Sequence, residues 1–429
     1  MSSSSFSFLH AADLHLDSPL RGLARRGAEA GSREGAFLSQ FLGASRRALE
    51  NLVDTALKEQ VAFLLIAGDV YDGDWKDYAT GQFFVRQMGR LARAQIPVFI
   101  IRGNHDAAST MSRDLPLPAN VRVLSDTAVE SAELPDLGVV LHGRGFKDRA
   151  VTENVARAYP PAVPGRFNIG LLHTSLTGRD GHNTYAPCTV EDLSRAGYDY
   201  WALGHIHRRE VVSLEPAIVF PGNLQGRHAR ETGPKGATLV RVADGRIAGL
   251  EALTLDAARF EHRLVDLTGC AAMAEAEAAA RAAITAAVDA AEGRPLALRL
   301  TFTGATALHA GLVARSGLAE EMQAHAYEVS AELLIEKVVL GTSGPDAAPE
   351  LETPGFEDAL AEVGADAEFR AEIAAAFREL RARTPPEVLE AMGLSGLDEE
   401  GMADAAIAAA GGEIAARLAM RAQDGEGER

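Results

Sequence analysis

Long apolar runs are missing from this chain. No stretch approaches the roughly 18 to 20 apolar residues of a membrane-spanning helix, so no membrane span is expected. Cysteine is scarce: Cys188 and Cys270 alone, in 429 residues, exclude a disulfide framework and fit a reducing, cytoplasmic setting. The opening Met1-Ser2-Ser3-Ser4-Ser5 has neither the basic nor the apolar segment of a secretory signal. Excess positive charge is also lacking, since the formal net charge is −18. That deficit is local. Residues 1–260 hold 29 Lys and Arg against 29 Asp and Glu, whereas residues 261–429 hold 13 against 31. An acidic total therefore does not exclude a polyanionic substrate for the first 260 residues, but the C-terminal third is not built to track phosphates. No aromatic residue follows Phe377, so the end of the chain has little of its own to bury.

What is present is a soluble globular composition, 47% apolar and 24% charged, in a chain long enough for two or three domains. The first 260 residues are organised around Phe63-Leu64-Leu65-Ile66-Ala67-Gly68-Asp69-Val70-Tyr71-Asp72. Five apolar residues in a row fit a strand buried on both faces, and the Gly then delivers an Asp to its carboxyl end, where open α/β sheets bind ligands. The design recurs. Phe6 to Leu9 leads to Asp13-Leu14-His15, and Val98 to Ile101 leads to Gly103-Asn104-His105-Asp106. Asn168 to Leu172 leads to His173, and Tyr200 to Leu203 leads to Gly204-His205-Ile206-His207.

Asp13 and His15, like His205 and His207, are two residues apart and would share one face of an extended strand. With Asp69, Asn104 and His173 they make seven candidate ligands, too many for one ion and suited to two that share a bridge. Carboxylate, amide and imidazole donors without thiolate suit borderline to hard divalent ions such as Mn²⁺, Fe²⁺, Zn²⁺ or Mg²⁺. Two such ions roughly 3.5–4 Å apart form the clamp that serves phosphoryl transfer.

Strands alternate with helices over residues 1–258. A helix with an apolar stripe is expected from Phe37 to Gln60, and another from about Tyr78 to Ala94, ending before Ile96-Pro97. Short strands follow the His pair, at Glu210–Leu214, Ala217–Phe220, Ala237–Val242 and Arg246–Leu253, with a turn at Asp244-Gly245. The expected class is α/β, two packed sheets flanked by helices. A small α+β module is expected over 259–340, with a helix over Ala271 to Ala291. Gly341 to Pro345 reads as a linker. Residues 346–429, with 20 acidic and 7 basic residues, read as an acidic helical tail that docks on a partner or stays partly mobile.

The motifs Asp13-x-His15, Gly68-Asp69-x-x-Asp72, Gly103-Asn104-His105-Asp106, His173 and Gly204-His205-x-His207 resemble those of the calcineurin-like metallophosphoesterases. The run His10-Ala11-Ala12-Asp13-Leu14-His15-Leu16 is similar to their DNA-repair branch, the SbcD-type nucleases, and Phe220 to Gly236 resembles the YhaO subgroup. The resemblance covers about residues 6–245, is loose over the small module, which is similar to the family's capping domain, and is absent over the tail. It implies that Asp13, His15 and His207 hold one metal, that Asn104, His173 and His205 hold the other, and that Asp69 bridges them. It implies hydroxide attack on phosphorus between two metals, with His105 binding the phosphate or protonating the leaving oxygen and Asp106 orienting its ring. Some relatives carry His where this chain has Asp72; Asp72 and Asp17 are expected to support the site rather than to bind metal. Arg227, His228 and Arg230, beside Arg208 and Arg209, are candidate phosphate contacts. The implied function is that of a metal-dependent DNA nuclease partnered by a coiled-coil ATPase of the SbcC or YhaN kind, with a homodimer as a further assembly to test. The alternatives are a small-molecule phosphodiesterase or phosphatase of the same fold, and a non-catalytic scaffold.

Overall fold

In the computed structural model the described residues are 5–20, 23, 33–72, 78–107, 115–148, 150–176, 185–345, 363–383, 401, 404 and 407. Short apolar runs rich in β-branched and aromatic residues become the strands that carry the site. β1 (Phe6–Ala11), β2 (Phe63–Ala67), β3 (Val98–Ile101) and β4 (Val121–Val123) lie parallel in one sheet. β5 (Glu130–Leu134), β6 (Val139–Arg144), β7 (Phe167–His173), β8 (Tyr200–Gly204), β9 (Glu210–Leu214) and β10 (Ala217–Phe220) make a second. β11 (Gly236–Ala243) and β12 (Arg246–Thr254) return to the first as an antiparallel hairpin. Its turn residues Asp244 and Gly245 both have positive φ, 53° and 70°, as a two-residue hairpin of the primed kind requires. The strand orders are β12-β11-β1-β2-β3-β4 and β5-β6-β7-β8-β10-β9. Two mixed sheets flanked by helices are the architecture expected from the sequence.

Alternation along the strands builds two apolar layers. Phe8, Phe63, Leu65 and Phe99 of the first sheet pack with Leu141, Ile169, Leu171 and Tyr200 of the second. Leu64, Ile66 and Ile100 pack on the other side, with Leu49, Leu52 and Val53 and with Phe84, Met88 and Leu91 from the helix Tyr78–Arg93. Every residue of β2 is buried, which explains its unbroken apolar run. At roughly 1.5–3 kcal/mol for each large side chain removed from water, β2 is among the best-anchored strands.

The helix expected over Phe37 to Gln60 is two helices, Arg33–Leu42 and Ala44–Lys58, joined at Gly43. The apolar stripe runs through the break, but its halves serve different clusters. Phe37 and Phe41 pack with Leu20, Ala258 and Phe260, whereas Leu49, Leu52 and Val53 cover the first sheet.

Beyond β12 come β13 (Arg259–Asp266), the helix Met273–Ala291, β14 (Leu296–Ala305), the helix Leu318–Val329 and β15 (Leu333–Ser343). The three strands form one sheet in that order. β15 runs into the segment expected to be a linker, and Thr306 donates its N–H to Ser343 O at 2.9 Å. The described residues fall into two compact units: those within 1–262 with 284–299 and 326–336, and those within 263–283 with 300–325 and from 337 onward. Of the expected tail, the helix Ala367–Arg383 is described; most of 346–429 lies outside the described residues. No helix among the described residues is long and apolar enough to cross a membrane.

Candidate metal centre

The carboxyl ends of β1, β2, β3, β7 and β8 meet at one edge of the two sheets. Beyond β1 the chain continues beside the end of β2: Asp13 N–H donates to Gly68 O at 3.0 Å and His15 N–H to Asp69 O at 3.1 Å. Asp13, His15, Asp17, Asp69 and His205 all have positive φ, between 42° and 98°. Non-glycine residues held there cost of order 1–3 kcal/mol each and cluster at functional sites. The glycines of the motifs permit close approach. A Cβ on Gly103 would lie 2.2 Å from Asp69 Oδ1, and one on Gly204 would lie 2.0 Å from Ala67 O and 2.8 Å from His173 Nδ1. Gly-Asn-His-Asp and Gly-His-Ile-His therefore begin with glycine because ligand and backbone atoms of neighbouring strands occupy the space of a side chain.

Among the described residues, three interlocking groups of side chains bring potential ligand atoms within 4.8 Å of one another: Asp13, His15 and His207; His15, Asp69 and His105; and Asp13, Asp69 and His173. His15 Nε2 lies 3.2 Å from His207 Nε2, 4.0 Å from Asp13 Oδ1 and 3.9 Å from Asp69 Oδ2. His173 Nε2 is 2.9 Å from Asn104 Oδ1 and 3.4 Å from Asp69 Oδ2. Its Nδ1 faces Ala67 O at 2.9 Å, and since a carbonyl only accepts, Nδ1 carries a proton and Nε2 is the nitrogen turned towards Asn104 and Asp69. His205 donates its backbone N–H to the Asp13 carboxylate at 3.0 and 3.2 Å, and its ring stacks on Tyr185 and lies edge-on to His173, centroids 5.2 Å apart. Its imidazole is in none of the three groups.

The electrostatics favour cations at this edge. Burial works against the ionised forms of Asp13 and Asp69, but neighbouring imidazoles outweigh it and hold both carboxyls below their usual range. Burial likewise opposes the charged forms of His173 and His207, yet the carboxylates around them raise both to about 9. His15, buried and facing Arg227, is lowered to about 4. Two imidazole Nε2 atoms that face each other beside carboxylate oxygens are a poor hydrogen-bond pair and a good donor set. The residues fit borderline or hard divalent ions.

The ring of His105 is oriented by a residue other than the one expected. Asp106 accepts the backbone N–H groups of Val70, Tyr71 and Gly103 at 3.0–3.2 Å, fastening the ends of β2 and β3 together. Burial raises its carboxyl to about 6. Asp72 Oδ1 instead lies 3.0 Å from His105 Nδ1 and 3.6 Å from His15 Nδ1. Adjacent residues on the helical turn Asn104–Ala107 do not face each other, so His105 and Asp106 cannot share an axis. Asp17 supports the site from a distance: it is paired with Arg46 at 2.5–3.1 Å and with Thr80, so it ties the loop after β1 to two helices. Arg227 reaches the cluster, with Nη2 3.2 Å from His207 Nδ1 and Nη1 3.6 Å from Asp72. His228 and Arg230 are exposed near it. Sequence reasoning missed Glu231, whose Oε1 is 2.6 Å from His207 Nδ1. The available signal was its place four residues after Arg227, with a carboxylate in a run otherwise basic.

Comparisons with known proteins agree with this geometry. Residues 6–209 match the calcineurin-like phosphoesterase family, and residues 260–343 match the middle domain of the metallophosphoesterase YhaO. The chain is 39% identical over 247 residues to an uncharacterized metallophosphoesterase YhaO of Bacillus subtilis, covering 56% of this chain and 58% of that one. It is 27% identical over 222 residues to the DNA double-strand break repair protein Mre11 of Sulfurisphaera tokodaii, covering 48% and 55% of the two chains. The same-named protein of Aeropyrum pernix is 28% identical over 254 residues, 54% and 56% of the two. The chain thus spans little more than half the length of these relatives.

Proposed function

We propose, from the premise that residues 6–209 are a calcineurin-like metallophosphoesterase domain, that this protein is a nuclease that hydrolyses DNA phosphodiesters with two divalent ions. The observation that carries the reading is the set of interlocking ligand groups sharing Asp13, His15 and Asp69 at the strand ends. Asp13, His15 and His207 would hold one ion and Asn104, His173 and His205 the other, with Asp69 placed to serve both. When bound, the ions, with Mn²⁺ favoured, supply an activated water and neutralise charge on the phosphoryl oxygens. His105, its Nδ1 held by Asp72, binds the phosphate or gives a proton from Nε2 to the leaving oxygen. Arg227 stands beside the ions' ligands to meet a phosphate oxygen, with His228 and Arg230 outside it.

Three considerations support DNA as substrate. Relatives bear the name of a double-strand break repair protein, the motif run resembles SbcD-type nucleases, and the first 260 residues carry no net negative charge that would repel a polyanion. The same resemblance favours a cytoplasmic protein working with a coiled-coil ATPase of the SbcC or YhaN kind, docked on the acidic tail. The test is hydrolysis by the full chain of single-stranded DNA, hairpin DNA and bis-p-nitrophenyl phosphate, with Mn²⁺ and with EDTA. Metal-dependent cleavage of DNA is expected. Hydrolysis of the small ester alone would make the protein a small-molecule phosphodiesterase, and no hydrolysis of any substrate would make it a scaffold.

A further inference from the structure

The two halves of the metal centre are held differently. His173 is fixed by a backbone carbonyl, through Nδ1 and Ala67 O at 2.9 Å. His207 is fixed by a carboxylate, through Nδ1 and Glu231 Oε1 at 2.6 Å. Glu231 is buried, 8% exposed, and gathers donors from one short segment. Its Oε2 accepts from Asn223 Nδ2 at 2.9 Å and from the Arg227 backbone N–H at 2.7 Å, and its Oε1 also accepts from Arg227 Nη2 at 3.2 Å. His228 Nε2 lies 3.5 Å away. The same segment holds the backbone of His207: its carbonyl accepts from Asn223 N–H at 3.3 Å and from Lys235 Nζ at 3.2 Å. Residues 223–235 thus grip His207 by ring and by main chain.

We propose that Glu231 is a positioning residue that commits His207 to bind metal through Nε2 and so sets the affinity for the ion shared with Asp13 and His15. This rests on the two-metal reading above. An ionised carboxylate only accepts, so the proton stays on Nδ1 and the Nε2 lone pair is turned to the ion position, towards His15 Nε2 at 3.2 Å and Asp13 Oδ1 at 3.7 Å. A carboxylate behind a ligating imidazole also makes it a stronger donor, and loss of such a partner typically costs about 10–100-fold in metal affinity. Stability alone is a weak reason for the arrangement, because a buried ion pair roughly offsets its own desolvation. The contacts of this carboxylate go to His207, Asn223, Arg227 and His228, so an ion held by Asn104, His173 and His205 should not feel its loss.

The experiment is calorimetric titration of metal-free full-length protein with MnCl₂, for wild type, Glu231→Gln, His207→Gln and the double variant, with thermal melts as the check on folding. Wild type should show two binding events. In Glu231→Gln one event should weaken by about 10–100-fold while the other is unchanged. In the His207→Gln background, Glu231→Gln should add no further loss, as coupled groups require. Two unchanged events, equal weakening of both, or additive losses in the double variant would overturn the role. If Glu231→Gln does not fold, Glu231→Asp, which withdraws the charge by one methylene, is read by the same outcomes. A wild type that takes up no ions would contradict the two-metal reading itself, whereas two ions in wild type and an unaltered variant would contradict this inference alone.

Discussion

His105 and Asp72 form the pair on which proton transfer would depend. With Asp72 Oδ1 3.0 Å from Nδ1, the ring is locked in one orientation. His105→Ala should lower turnover by about 10²–10⁴-fold, the usual share of general acid–base catalysis, with two ions still bound; loss of an ion would make His105 a ligand instead. Asp72→Asn should lower turnover in the same direction, whereas Asp106→Asn should act mainly on stability, because its carboxyl touches backbone amides. A second residue-scale prediction concerns His10. It is fully buried, donates from Nε2 to Leu203 O at 3.1 Å and accepts at Nδ1 from the Tyr200 hydroxyl at 2.9 Å. Burial lowers it to about 3. Unfolding therefore releases a group that takes up a proton below about pH 6.5, so stability falls as pH drops from there towards 3. At pH 5 the loss is about 2 kcal/mol. Denaturant melts should show a shallower acid slope for His10→Gln than for wild type between pH 6.5 and 5; equal slopes would refute the linkage.

At the scale of elements, much of the site was legible because each strand announces itself as an apolar run ending in a ligand-type residue. β2 into Asp69 and β7 into His173 needed no three-dimensional information. What stayed hidden was pairing across the sheets. Nothing local distinguishes Asp72 from Asp106 as the partner of His105, since the choice follows from which way a helical turn points each side chain. Glu231 reaches His207 across 24 residues and two strands, and no periodicity records that contact. The break at Gly43 was masked by a continuous apolar stripe whose two halves serve different clusters. The crowding at the motif glycines gives a sharp test. Gly204→Ala would place a Cβ 2.0 Å from a backbone oxygen of β2, so β8 must shift. We expect a stability loss of about 1–3 kcal/mol together with weakened metal binding, because His205 and His207 follow directly. A variant with wild-type melting and metal content would show that the close approach is unnecessary.

At the scale of the whole molecule, charge and chemistry are segregated. The candidate metal ligands lie within the first 210 residues, while the acidic excess lies beyond residue 260. If the tail serves a partner rather than the reaction, deleting residues 346–429 should leave metal-dependent hydrolysis of a small phosphodiester intact and abolish co-purification with the ATPase. Loss of the small-substrate activity, or undiminished binding of the ATPase, would contradict that division. The central claim, that the strand ends form a dinuclear centre bridged by Asp69, is tested most directly by counting ions. Equilibrium dialysis of the full-length protein against Mn²⁺, followed by elemental analysis, should give two ions per chain for wild type and a loss at both positions for Asp69→Asn. One ion or none in wild type, or two retained in Asp69→Asn, would contradict it.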